Sequence, residues 1–131
     1  MRLLLDTHIA LWFALDKGLL RNGELALLEA QESDVLFSAA SIWELRLKWH
    51  RFHVSGQRKG PAHPRHVLAT LVDGGVTLLA LTGDHAAAEL VVPLSHKDPF
   101  DELLLVQAQE EGCKLLTRDA RLAGHPLAVT A

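Results

Sequence analysis

Short unbroken apolar runs alternate along this chain with longer stretches in which apolar residues recur every three or four positions. The first run, Leu3-Leu4-Leu5, ends abruptly in Asp6 and is too brief for a helix, so it reads as a buried strand. His8 to Leu15 then has helical spacing (Ile9, Leu11, Trp12, Phe13, Leu15) and stops at Asp16-Lys17-Gly18. Asn22 is placed to cap a second helix to about Gln31, with Leu25, Leu27 and Leu28 on its inner side. Asp34 to Ser38 (DVLFS) reads as a second buried strand, and Ser41 begins a helix over Ile42 to His50. Phe52 to Pro64, with Ser55-Gly56, Lys59-Gly60-Pro61 and Pro64, reads as a mobile loop.

The alternation continues. His66 to Val72 suits a helix closed by Gly74-Gly75, and Val76 to Leu81 (VTLLAL) a third strand. Thr82 caps a helix over Asp84 to Val91 that ends before Pro93. Pro99 opens a helix running to Glu111 before Gly112. Lys114 to Thr117 is a fourth strand, again followed by an aspartate, Asp119, and Leu127 to Val129 a last short one. Strands alternating with helices call for a parallel sheet with helices on both faces, in one α/β domain over residues 1–131. Crossovers in such sheets are right-handed and the strand ends share an edge, so Asp6 and Asp119 are expected on one rim. Ligands gather outside the carboxyl ends of strands in these folds.

Composition narrows the class. Hydrophobic content of 49% with 22% charged residues describes a globular protein. A lone cysteine, Cys113, rules out an internal disulfide and fits a reducing cytosol. Asp6 interrupts what would have to be the apolar region of a secretory signal, and no apolar run approaches the roughly 20 residues needed to span a bilayer. A soluble, cytoplasmic protein is expected. The formal net charge of -3 conceals an asymmetry: between Leu45 and Val72 there is no acidic residue, but Arg46, Lys48, Arg51, Arg58, Lys59 and Arg65. Such separation describes either a basic face for a polyanion beside an acidic site, or a solvated helix end and loop.

Asp6, Glu44, Asp98 with Asp101, and Asp119 all belong at or near the predicted rim. Gathered carboxylates repel and raise one another's pKa, a penalty that a hard divalent cation such as Mg²⁺ or Mn²⁺ removes. Such a cluster can activate water and stabilise charge on a phosphodiester. Each acid also has a purely structural role open to it. Glu44 could form a capping box with Ser41 and pair with Lys48. Asp98 and Asp101 could complement a helix N-terminus, and Asp119 could cap a turn. For Asp6 no such role is evident. Other chemistries lack their motifs: there is no HExxH, no cysteine pair, no glycine-rich phosphate loop and no G-x-S-x-G turn. The aromatics Trp12, Phe13, Trp43, Trp49 and Phe52 read as core or interface unless exposed.

LLLDTH at 3–8, S-x-x-S-I-W-E-L at 38–45, H-K-D-P-F-D-E-L-L at 96–104 and L-L-T-R-D at 115–119 resemble the PIN-domain family in order, spacing and strand context across essentially the whole chain. More narrowly they resemble the VapC toxins of bacterial type II toxin–antitoxin pairs. The resemblance implies a three-layer α/β/α sandwich and an endoribonuclease dependent on Mg²⁺ or Mn²⁺. It also implies a cognate VapB-type antitoxin that blocks the site, and usually a homodimer. By position, Asp6, Glu44, Asp101 and Asp119 match the family's catalytic, metal-binding acids. Thr117 matches a hydroxyl residue beside the last acid, and Asp98 a secondary member. Glu102 departs from the arginine common at that position, which adds negative charge near the site. The alternative is a PIN-like module that binds RNA or protein without cleaving, against which the intact set of four acids argues. A nuclease acting on structured DNA is a third reading.

Overall fold

A computed structural model describes residues 1–131. Strand β1 (Arg2–Leu5) is the middle of a five-stranded sheet, joined on one side by β2 (Asp34–Ser38) and β3 (Thr77–Leu79) and on the other by β4 (Lys114–Leu116) and β5 (Ala128–Val129). The order is β3-β2-β1-β4-β5, and all pairings are parallel. A strand buried on both faces needs apolar residues at every position, which is why β1 reads as a leucine run rather than an alternation. Its side chains still part by face. Leu3 and Leu5 enter a core with Ile9, Phe37, Leu45, Val67 and Leu71, while Leu4 enters a second with Leu36, Leu104, Leu105, Ala108 and Leu115.

Helices α1 (Thr7–Leu15), α2 (Asn22–Glu29), α3 (Ala39–Trp49) and α4 (Pro64–Asp73) supply the first core, and α6 (Pro99–Glu111) the second, giving three layers. The short α5 (Gly83–Ala87) packs beside α6. Helix α6 begins and ends where proline and glycine signalled. Pro99 stands in its first turn, and Gly112 closes it at φ 66°, a left-handed conformation that glycine adopts without a Cβ clash. No helix is long and apolar enough to cross a membrane.

Helix α2 is capped by Arg21 rather than Asn22 and ends at Glu29, and β3 is shorter than the run Val76 to Leu81. Three further elements differ from the sequence reading because a side chain intervened. Helix α3 starts at Ala39 because Ser38, not Ser41, caps it: the Ser38 hydroxyl accepts from Ala40 N at 3.0 Å. Ser41 lies buried inside the helix, so the Ser41–Glu44 capping box does not form. Helix α4 starts at Pro64 because His63 Nδ1 accepts from Arg65 N. Helix α5 stops at Ala87 instead of Val91. The Gln109 amide accepts from Val91 N at 2.9 Å and donates to Glu89 O at 2.9 Å, holding that segment extended away from helix.

Candidate active site

The chain runs outward from β1 to β2 and β3, then returns to place β4 on the other side of β1. The carboxyl ends of β1 and β4 therefore form the topological switch point, where α/β sheets leave a crevice. Asp6 sits there. Its backbone N–H donates to Leu116 O at 3.0 Å, extending the ladder one residue past β1. Its carboxylate caps α1 by accepting from Thr7 N at 2.8 Å, a structural role the sequence did not reveal. The other oxygen accepts from the Thr117 hydroxyl at 2.6 Å, across the crevice from β4.

The same threonines connect the remaining acids. Thr7 donates its hydroxyl to Glu44 Oε1 at 2.8 Å and lies 3.0 Å from Ser41 Oγ, which fixes the inner side of α3. Thr117 Oγ1 accepts from Asp119 N at 3.1 Å. Asp98 caps α6 through the amides of Phe100 and Asp101, so Asp101 enters the rim on the first turn of that helix. Sequence order predicts all four acids on one edge, and two threonines connect three of them. Thr7 bonds Asp6 through its backbone N–H and Glu44 through its hydroxyl, and the Thr117 hydroxyl bonds the Asp6 carboxylate and the Asp119 backbone N–H.

Their electrostatics diverge. Asp6 and Asp101 are both buried, at 9% and 8% exposed. Burial pushes the Asp6 carboxyl above its ordinary value, and the nearby Asp101 charge adds to this, against the hydrogen bonds from Thr117 and Thr7. Burial likewise raises Asp101, and the charges of Asp98 and Asp119 reinforce it, while a 2.8 Å hydrogen bond from His96 Nε2 opposes. Asp119 moves the other way. Hydrogen bonds from Arg121 lower it, with the guanidinium 2.9 Å from its Oδ2 and 3.7 Å from Asp101 Oδ2.

No three acidic or imidazole side chains stand close enough together to share one ion in this arrangement. Three of the four acids instead have a charged or imidazole partner: Glu44 has Lys48 at 3.2 Å, Asp101 has His96, and Asp119 has Arg121. The Glu44–Lys48 pair is the i,i+4 pair its spacing predicted. His96 and Arg121 were not singled out from sequence. Their signals were slight: a histidine two residues before Asp98, and an arginine two after Asp119.

Two hollows flank the acids. One, of about 480 Å³, holds Glu44 and Asp98 together with the cations Lys48, Arg51, Lys97 and Arg121. The other, of about 230 Å³, is lined by Asp6, His8, Ile9, Trp12, Arg118 and Asp119. The basic segment from Arg46 to His66 is thus only partly beside the acids. Arg46 and Arg65 line a separate groove between α3 and α4. Arg58 is consumed within its loop, stacked over Trp49 and Phe52 and donating to Trp49 O at 2.7 Å. Trp43 and Phe52 are exposed rather than core.

Comparison with known proteins shows the family and the fold. The family model for the PIN domain matches residues 3–126. Ribonuclease VapC22 of Mycobacterium tuberculosis is 30% identical over 123 residues, covering 93% of this chain and 90% of that protein. The crystal structure of VapBC2 from Rickettsia felis bound to a DNA fragment from their promoter superposes with a TM-score of 0.68 at 18% identity, over 100% of this chain and 98% of that one. A toxin–antitoxin complex from Klebsiella pneumoniae superposes with a TM-score of 0.60 at 22% identity, over 97% and 95% of the two chains. At such identities the two structures speak for the fold.

Proposed function

Since this chain belongs to the PIN-domain family, we propose that it is a VapC-type endoribonuclease, the toxin of a type II toxin–antitoxin pair. On this reading it hydrolyses RNA phosphodiester bonds with a divalent cation, Mg²⁺ or Mn²⁺. The observation that carries it is the pair Asp6 and Asp101. Two carboxylates are buried at the sheet's switch point, each made harder to ionise by its surroundings, beside a cleft walled by cations. Capping α1 needs only one oxygen of Asp6 and does not call for a second buried carboxylate nearby, whereas a bound cation would relieve the charge of both.

The donor chemistry fits such an ion. The four acids offer only carboxylate oxygens, the ligands that hard divalent cations prefer. Asp6 and Asp101 would hold it, and Glu44 and Asp119 would complete the set on releasing Lys48 and Arg121. Bound there, the ion supplies a lowered pKa for water and compensation of charge on the phosphate. The protein's own groups do the rest. Thr7 and Thr117 hold Glu44 and Asp6 in place through their hydroxyls. Glu44 or Asp119 takes the proton from attacking water, and Lys48, Arg51 and Lys97 grip the flanking phosphates.

This reading assigns a homodimer as the assembly and a VapB-type antitoxin as the partner, the antitoxin supported by two structural neighbours that were both solved as toxin–antitoxin complexes. The test is cleavage of a mixed RNA pool by purified protein with Mg²⁺, Mn²⁺ or EDTA. Metal-dependent cuts that vanish in a folded Asp101→Asn variant are expected. RNA bound but uncut by folded protein would favour the non-cleaving module instead. The observation on that side is that Glu44, Asp101 and Asp119 already have partners.

A further inference from the structure

The two hollows beside the acids differ in kind. The larger carries several cations and suits phosphates. The smaller has none to spare. Its only permanent cation, Arg118, is committed to the buried carboxylate of Glu24 and to Leu19 O, and two of its lining residues are the acids Asp6 and Asp119. A phosphate would be repelled there. An uncharged planar group would not.

Planar groups already form a column in that hollow. The Arg118 guanidinium lies 4.5 Å from the centre of the Trp12 ring. On α1 one turn earlier, His8 stacks with Trp12, their centroids 5.7 Å apart and their planes 22° from parallel. That is within the range of offset aromatic stacking, and the i,i+4 spacing puts both rings on one helix face. The column is anchored from below, since burial of Glu24 fixes Arg118 and Arg118 fixes the indole. At its upper end His8 is exposed to solvent. It follows Asp6 by two residues, so the open end of the column stands beside the acids.

We propose that His8, backed by Trp12 and Arg118, is a stacking platform for one unpaired nucleobase of the RNA, adjacent to the bond cut at the acidic rim. The assignment rests on the endoribonuclease reading above and adds a subsite to it: phosphates in the cationic cleft, a base on the aromatic column. Stacking of this kind is sequence-tolerant because every base has a π-face. The column therefore demands that the strand be unpaired at that nucleotide and only weakly selects which base it is.

The experiment uses a single-stranded RNA oligonucleotide containing one mapped cleavage site, and copies of it with an abasic nucleotide at each flanking position. Binding is measured in EDTA and cleavage in Mn²⁺, for the parent, His8→Ala and His8→Phe. His8→Ala should weaken binding about tenfold, as loss of one base–aromatic stack would, and His8→Phe should restore it. One abasic position should cost the parent a similar factor and cost His8→Ala little further. Equal binding by His8→Ala and the parent, or full additivity at every abasic position, would overturn the platform while leaving the nuclease intact. No cleavage of any RNA by the parent would instead remove the nuclease reading on which the platform rests.

Discussion

Asp101 and Asp119 share a rim and one arginine, yet their surroundings drive them in opposite directions. Burial raises Asp101, whereas Arg121 lowers Asp119. For a carboxyl whose folded pKa is raised, the unfolded chain gives up its proton first as pH rises. Stability is therefore lost between the unfolded and folded values and stays lost above them. In EDTA at pH 7, Asp101→Asn should therefore melt higher than the parent, and the advantage should disappear below about pH 4, where the unfolded carboxyl is also protonated. Thermal melts across pH check this; a variant less stable at pH 7 would mean that the His96 pair outweighs the burial. Adding Mn²⁺ should raise the melting temperature of the parent more than that of the variant, because a ligand of the native state stabilises by mass action.

At the level of the helices, α3 depends on a polar chain that runs through the sheet. Ser38 accepts from Ala40 N to cap α3 and donates to the buried Gln107 of α6. The Gln107 amide approaches His85 Nδ1 at 3.3 Å, and His85 Nε2 donates to Glu111 at 3.2 Å. Ser38→Ala removes a cap worth about 1 kcal/mol. It also leaves the buried Gln107 Oε1 without its donor, for a further cost of about 1–3 kcal/mol. A lowered urea midpoint with unchanged m-value is the expected result, and a shift below about 1 kcal/mol would show that the chain contributes nothing beyond the cap. Cleavage should fall as well, since α3 carries Glu44. The Ser41–Glu44 box that local spacing offered is absent because the nearer serine, Ser38, already caps the helix where β2 ends.

Across the whole molecule, charge is sorted by the fold rather than by position along the chain. The basic segment splits. Lys48 and Arg51 face the acids with Lys97 and Arg121 from elsewhere, while Arg46 and Arg65 face another groove. Neutralising Arg51 and Lys97 together should weaken single-stranded RNA binding and reduce its salt slope by about 1.4, at roughly 0.7 per phosphate contact. The Arg46→Ala, Arg65→Ala double variant should leave that slope unchanged. Binding titrations over a salt series distinguish the two, and equal slopes for both double variants would dissolve the distinction between the faces.

Which elements form, and that Asp6, Glu44, Asp101 and Asp119 meet at one edge, follow from chain order alone. A parallel sheet with right-handed helical crossovers brings the residue after every strand to the same side, and the first turn of the helix entering β4 joins them. The lettering at 3–8, 38–45, 96–104 and 115–119 carried the family for the same reason, since those stretches are the strand ends and helix starts of the rim. Only the folded arrangement shows what each acid touches. The pairing of His96 with Asp101 and of Arg121 with two acids, and the Thr117 hydroxyl on Asp6 from 111 residues away, join segments that no local pattern relates. The same holds for Trp12, whose helical spacing with His8 is visible in the chain but whose place against Arg118 is not. Spacing is a property of a single segment; ion pairs and burial depend on which segments the closed sheet brings side by side.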